Sequence, residues 1–305
     1  MSDHGPYLVV IAGPTAVGKT AVSIEIAKLY KTSIINADSR QIYKELDIGV
    51  AKPSLEELEE VPHHFVNHCS IHDTFTASDF EQQSISMLEQ LYEKVDVVVM
   101  SGGTGLYIQA VLEGFDKIPD VSESYVSELN EAFKNKGITH LQNRLKQCDP
   151  DYYDTVDKYN YRRLIRAISV FDAHNKPYSS YLSKTSKSRS FKPILVQLDR
   201  DREELYKRIN NRVDMMIADG LENEAKSFYA YRDLRALQTM GYIEFFKNID
   251  GDLTKAEAIS LIKQQSRRYA KRQLTWYRKR GNWKVIPADN FSEIVHHIKE
   301  KIYEL

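Results

Sequence analysis

The 305-residue sequence predicts an α/β protein, a parallel sheet flanked by helices with a helical insertion domain. Three observations carry this. Short apolar runs rich in β-branched residues alternate with segments whose apolar positions recur at helical spacing, which implies parallel strands joined by right-handed crossovers. The first run ends in a glycine-bounded turn that opens straight into a helix. A long strand-free stretch separates the third apolar run from the last.

Tyr7 to Ala12 (Tyr-Leu-Val-Val-Ile-Ala), stopped by Gly13-Pro14, reads as a buried strand. Val22, Ile26 and Leu29 place a helix over Lys19 to Tyr30. Ser33 to Ala37 is a second strand. Ser78 to Lys94 is a helix that Ser78 could cap, with Glu81 at the reciprocal capping-box position. Val95 to Met100 is a third strand, stopped by Ser101-Gly102-Gly103. From Val121 to Lys192 the pattern is helical, with polar joints at Asp149-Pro150 and Lys176-Pro177 and a Ser/Lys-rich tail at Ser183 to Ser190. Ile194 to Leu198 is a late strand. The C-terminal third is helical, Thr254 to Tyr277 being its longest continuous pattern. The expected organisation is a core of residues 1–120 and 193–305 with an insertion at 121–192.

Hydrophobic residues make up 42% and charged residues 28%, which argues against wholesale disorder. No apolar run approaches the ~20 residues of a membrane span. The start, Met1-Ser2-Asp3-His4-Gly5, lacks a basic lead into an apolar stretch, so no secretory signal is expected. With only Cys69 and Cys148, a disulfide scaffold and a CxxC motif are excluded. The expectation is a cytoplasmic protein, and nothing demands a dimer. The net charge of -1 conceals local patches. Lys263, Arg267, Arg268, Lys271, Arg272, Arg278, Lys279, Arg280 and Lys284 occur with no acid among them, interleaved with Tyr269, Trp276, Tyr277 and Trp283. Phosphate binding would use the cations; the aromatics are either base platforms or core.

Gly13-Pro14-Thr15-Ala16-Val17-Gly18-Lys19-Thr20 fits G-x-x-x-x-G-K-[ST] and lies between a strand and a helix, which makes the sheet P-loop NTPase-like. Glycines let successive backbone N–H groups turn inward, and the helix N-terminus adds positive potential. Lys19 neutralises phosphate charge, and the Thr20 hydroxyl can ligate Mg2+. The pattern specifies a di- or triphosphate without saying what carries it. A Walker-B acid should end a strand nearby, yet the third strand ends Val99-Met100-Ser101-Gly102. Asp199 ends a later strand and is either a metal ligand or a surface or capping residue. Asp38, directly after the second strand, falls where strand ends line the phosphate crevice. There it is a reacting-group neighbour, a helix cap or an arginine partner. His63, His64, His68 and His72 lack a zinc spacing and read as a polar, substrate-facing loop.

Further stretches accompany these: Asp38-Ser39-Arg40-Gln41-Ile42-Tyr43, Asp47-Ile48-Gly49-Val50-Ala51-Lys52-Pro53, Gly102-Gly103-Thr104-Gly105-Leu106-Tyr107, Gly220-Leu221 with Glu224, Gly241-Tyr242, and Ala270-Lys271-Arg272-Gln273-Leu274-Thr275-Trp276. In this order and together with the phosphate loop, they resemble the tRNA dimethylallyltransferase (tRNA isopentenyltransferase) family over nearly the whole chain. The resemblance implies transfer of a dimethylallyl group from dimethylallyl diphosphate to the exocyclic amine of the adenine just 3′ of the anticodon, with Mg2+ as cofactor and the tRNA anticodon stem-loop as partner. No phosphoryl group would move, which accounts for the missing Walker-B acid.

It further implies Asp38 as general base, Thr104 as a contact to the substrate nucleotide and Arg212 near the diphosphate. Arg208, i,i+4 from Arg212, would share its helix face. A turn threonine and a solvated helix face are the plainer readings of these residues. RNA contacts are implied at Asp38, Ser39, Arg40 and Gln41, at Arg162, Arg163 and Arg166 in the insertion, and at Thr239, Met240, Gly241, Tyr242, Ile243 and Glu244. The adenine would be flipped from its stack, within the accessible anticodon loop. A prenyltransferase acting on free adenine nucleotide, a small-molecule kinase and a non-catalytic RNA-binding protein with a relic phosphate loop are the competing functions.

Overall fold

The structure, a computed structural model, describes residues 5–183 and 187–303. Residues 184–186 of the Ser/Lys-rich tail and residues 1–4 of the N-terminus lie outside the described residues. Two compact units divide the chain: one of residues 1–113 and 188–305, the other of residues 114–187. The sequence reading placed these boundaries at 120/121 and 192/193, a few residues later at each joint.

The first unit begins with β1 (Tyr7–Ala12), α1 (Lys19–Tyr30), β2 (Ile34–Asn36), α2 (Leu55–Glu60), β3 (His63–His64), α3 (Ala77–Tyr92), β4 (Val97–Gly102) and α4 (Gly105–Glu113). The second unit holds α5 (Glu123–Cys148), α6 (Pro150–Thr155) and α7 (Tyr161–His174). The first resumes with β5 (Lys192–Asp199), α8 (Arg202–Ala218), α9 (Leu221–Ser227), α10 (Tyr242–Ile249), α11 (Lys255–Lys279), β6 (Lys284–Pro287) and α12 (Phe291–Tyr303).

Six strands form one sheet in the order β3-β2-β4-β1-β5-β6, every neighbouring pair parallel. Strand alternation explains why all six residues of β1 are buried. Tyr7, Val9 and Ile11 enter one core with α1, α8 and α12 residues such as Ile26, Ile209 and Ile298. Leu8, Val10 and Ala12 face the other, with Phe80, Ile108 and Tyr277 from α3, α4 and α11. A parallel sheet covered on both faces reads as an unbroken apolar run, as this strand does. A third cluster, including Leu46, Leu221, Tyr242 and Phe245, supports the loops beyond the strand ends.

The insertion unit has its own core of Leu129, Leu141, Leu145, Leu164 and Ile168. Gly137, at φ 73, breaks α5 into two segments. Arg144 grips Asp172 with both carboxylate oxygens at 2.8 Å. Buried Asp149 accepts from Tyr152 N–H at 3.0 Å and from Ser179 N–H and Oγ–H at 2.7 Å, tying the helix joint to the following turn.

Several local expectations shift. Helix α3 is capped by Thr76, not Ser78: Thr76 Oγ1 accepts from Asp79 N–H at 3.2 Å while Asp79 accepts from Thr76 N–H at 2.8 Å. Glu81 instead turns inward to Arg189, 3.0 Å away. Strand β4 runs on through Ser101 and Gly102, which pair with Ile11 and Ala12. Strands β3 and β6 carried no recognisable run. His63 and His64 are therefore not in a loop; they pair with Ile34 and Ile35 of β2. Burial lowers the pKa of both rings. His68 Nε2 meets Gln83 Oε1 at 2.8 Å, and His72 packs edge-on against Tyr231. Among the described residues no three His, Cys, Asp or Glu side chains are arranged to hold a metal. Nor is any helix among them long and apolar enough to cross a membrane.

Candidate active site at the C-terminal edge of the sheet

The turn between β1 and α1 is built from left-handed backbone, with φ of 150° at Gly13, 64° at Ala16 and 115° at Gly18. Left-handed residues at the N-terminus of a helix are the backbone form that gathers N–H groups for an anion. Lys19 Nζ donates to Gly13 O at 3.0 Å and Pro14 O at 2.9 Å, so its charge is held at the loop. Burial pulls its pKa down to about 8, opposed by nearby Asp38 and reinforced by Arg212. Two arginines of α8 brace the loop from outside. Arg212 donates to Thr15 Oγ1 and Ala51 O, each at 3.2 Å, and Arg208 donates to Ala16 O at 2.9 Å. Their i,i+4 spacing thus turns both toward the phosphate loop, Arg212 half-buried there and Arg208 reaching it from an exposed position.

Asp38 follows β2, the strand beside β4. Its Oδ1 accepts from Arg40 N–H at 2.9 Å and Gln41 N–H at 3.4 Å, which shapes the turn. Among the described residues nothing hydrogen-bonds Oδ2 and no arginine pairs with the carboxylate. Asp38 therefore caps its own turn with one oxygen and leaves the other unengaged. Thr104 sits opposite, after β4. Its Oγ1 accepts from Ser39 N–H at 3.0 Å and donates to Ser39 Oγ at 3.2 Å, while its N–H donates to Ala37 O at 3.1 Å. Tyr269 of α11 reaches the same place. Its hydroxyl meets Thr104, and burial together with the Asp38 charge raises its pKa to about 12. Asp199 ends β5, where its carbonyl accepts from Ala288 N–H.

Residues 47–53 form a third wall, clasped from behind. Glu224 accepts from Ile48 N–H at 2.7 Å and Gly49 N–H at 3.0 Å, and Tyr242 donates its hydroxyl to the same carboxylate. The clasp fixes Ala51 O, which receives both Arg212 and the Gln41 amide. An added Cβ at Gly49 would lie 2.6 Å from the Tyr242 ring. Gly49→Ala is therefore expected to lower stability by ~1–3 kcal/mol, the usual cost of overpacking, measured by denaturant unfolding.

The residues expected to touch RNA divide by exposure. Tyr242 is 0% exposed and Glu244 5%, so neither side chain presents a face to a nucleic acid. Tyr242 holds Glu224, and Glu244 accepts from Gly241 N–H to cap α10. Thr239, Met240 and Ile243 remain half-buried. Gln41 spends its amide on Asn36, Val50 and Ala51, and Arg40 donates to Arg235 O and Ala236 O. On α7, Arg162 and Arg163 are exposed, while Arg166 donates to Pro119 O at 3.2 Å. On α11, Arg268, Lys271, Arg272 and Thr275 line an open groove. Of the aromatics nearby, Tyr277 is core at 1% exposed, and Trp276 and Trp283 pack beside it partly buried. Glu224 and Gln273 carried no assigned role in the sequence, lying unremarked inside matched stretches, and Tyr269 was read only as a base platform or core residue.

A parallel sheet whose first strand feeds a phosphate cradle, with a carboxylate and a threonine hydroxyl at the adjoining strand ends, defines a P-loop enzyme of the α/β class. Residues 41–280 match the IPP transferase family. The tRNA dimethylallyltransferase of Flavobacterium johnsoniae is 43% identical over 97% of this chain and 98% of that one, and that of Christiangramia forsetii is 46% identical over 97% and 98%. Among solved structures, the tRNA isopentenylpyrophosphate transferase of Bacillus halodurans superposes with a TM-score of 0.72 at 36% identity, covering 98% of this chain and 97% of that one. A eukaryotic dimethylallyltransferase acting on tRNA gives a TM-score of 0.77 at 25% identity, covering 97% and 77%. The chain belongs to the tRNA dimethylallyltransferase family of transferases.

Proposed function

We propose that the enzyme transfers a dimethylallyl group from dimethylallyl diphosphate to N6 of the adenine 3′-adjacent to the anticodon in tRNA, releasing diphosphate. The observation that carries this reading is the placement of Asp38, with one oxygen unengaged, within electrostatic reach of Lys19 and Arg212. A cradle for a leaving diphosphate and a proton acceptor for an incoming amine are what the displacement requires. The N6 lone pair attacks C1 of the allyl group, the C1–O bond breaks, its electrons leave with the diphosphate, and the N6 proton passes to Asp38 Oδ2. The loop amides of Ala16 and Gly18 at the start of α1, the Lys19 ammonium and Arg212 hold the charge that grows on the leaving oxygen. Thr104 orders the turn that presents Asp38.

Thr20, in the first turn of α1, is the hydroxyl that would hold Mg2+. A single protein donor fits an ion that takes its other oxygens from a diphosphate and water. When bound, the ion would neutralise charge on the leaving group. The kinase reading is weaker because the end of β4, beside β1, carries Ser101 bonded to Ser23 Oγ at 2.7 Å where a metal-binding acid would stand. Because the cradle, Asp38, Thr104 and Arg212 all come from one unit of one chain, the enzyme is proposed to work as a monomer.

Incubation of tRNA or AMP with the enzyme, magnesium and either labelled dimethylallyl diphosphate or γ-labelled ATP tests this. The expected product is tRNA heavier by one isopentenyl unit at that adenine. Label in AMP alone, or phosphate transferred from ATP, would overturn the reading. The exposed α7 arginines are proposed to meet tRNA phosphates. Arg163→Ala should weaken tRNA binding and reduce the slope of log affinity against log salt by about one, with the donor KM unchanged.

A further inference from the structure

Helix α11 sends one buried amide between the two loops that would hold the two substrates. Gln273 Oε1 accepts from Thr15 N–H at 2.9 Å, and Gln273 Nε2 donates to Gly103 O at 2.9 Å. The first partner belongs to the phosphate loop after β1, the second to the turn after β4. Gly103 directly precedes Thr104, whose hydroxyl holds Ser39, the neighbour of Asp38. The amide is 6% exposed, so water does not compete for either bond. One turn earlier on the same helix, Tyr269 stands against Thr104. A Cβ at Gly103 would run into the Gln273 amide nitrogen, so glycine there admits the bridge.

We propose that Gln273 is a positioning residue for the transfer: its amide sets the spacing between the diphosphate cradle and the turn after β4, whose Thr104 holds the Ser39 and Asp38 turn that meets the acceptor base. This rests on the prenyl-transfer reading above. An amide suits the task because it carries an acceptor and a donor in one rigid plane; neither a carboxylate nor an ammonium offers both. In a displacement, the allyl carbon is carried by one loop's ligand and the proton acceptor by the β2 turn that the other loop holds through Thr104 and Ser39. An error of ~1 Å between them costs on the order of 10²-fold in rate, even when each substrate binds normally.

The test is Gln273→Met, which keeps the side-chain length and removes both hydrogen bonds. Single-turnover transfer at saturating donor and tRNA is expected to slow ~10–100-fold, with the Kd for each substrate and the melting temperature close to wild type. A variant that transfers at the wild-type rate once saturated, whatever its Kd or melting temperature, would overturn the proposal. Gly103→Ala, Gln273→Ala and their double variant supply a second measurement. Gly103→Ala should slow transfer alone yet add nothing in the Gln273→Ala background, because its methyl acts by displacing the amide. Independent, multiplying losses would overturn the proposal. Wild-type enzyme that fails to prenylate tRNA would sink the functional reading; active wild type beside an unimpaired Gln273→Met would sink only the bridge.

Discussion

Asp38→Ala is expected to slow transfer by ~10²–10⁴-fold, the range for losing a general base, while tRNA binds nearly as before. The N6 lone pair is delocalised into the purine, so bond formation at nitrogen depends on a partner that takes up the proton. In this structure that partner has one oxygen committed to the turn, through Arg40 and Gln41 N–H, and the other unengaged. The two oxygens make a pair of variants informative. Asp38→Asn keeps an oxygen for the turn but cannot accept the proton, so it should lose rate nearly as severely as alanine. Asp38→Ala also removes the cap, worth ~0.5–2 kcal/mol, and should melt lower than Asp38→Asn. Single-turnover rates and melting curves on the pair separate chemistry from scaffolding. A loss confined to tRNA affinity would remove Asp38 from the role of base.

How much of this was legible in the sequence depends on the range of the interaction involved. The phosphate loop was, because its chemistry is local: strand, glycines, lysine and helix start lie within fourteen residues of one another along the chain. β1 and α1 were bounded correctly because Gly13 ends the one and Gly18 opens the other. β3 and β6 were not. β3 is two histidines whose strand state comes from pairing with β2, and β6 has only Ile286 buried. No periodicity exists in so few residues. The α3 cap was misplaced because Ser78 and Glu81 satisfy the same spacing as Thr76 and Asp79, and only tertiary structure assigns Glu81 to Arg189. Tyr242 shows the converse: a residue in a stretch matched to RNA contacts is in fact a buried clasp for Glu224. Gln273 lies 258 residues from Thr15 and 170 from Gly103 in sequence, and no local signal reports bridges of that span.

Lys19→Met is expected to lower kcat/KM for dimethylallyl diphosphate by ~10²–10³-fold, the effect of removing one charged group aimed at developing negative charge. The wild-type pH profile should carry the same signature. With a pKa near 8, Lys19 is a cation below that pH and neutral above it, so the free enzyme loses its hold on the diphosphate as pH rises through about 8. That descending limb should be absent in Lys19→Met. Stability moves the other way. Between about 8 and the ordinary 10.5 the unfolded chain holds a proton at Lys19 that the folded chain has released, so this residue's contribution to stability increases with pH across that window. Below 8 both states are charged and the cost of the desolvated ammonium is constant. Wild type should therefore gain melting temperature relative to Lys19→Met from pH 8 to 10 while it loses donor affinity. Unfolding cannot imitate this opposition, since it would drag both down together. If the alkaline limb persists in Lys19→Met, the titrating group is another one, and the cradle's charge comes chiefly from Arg212 and the loop amides.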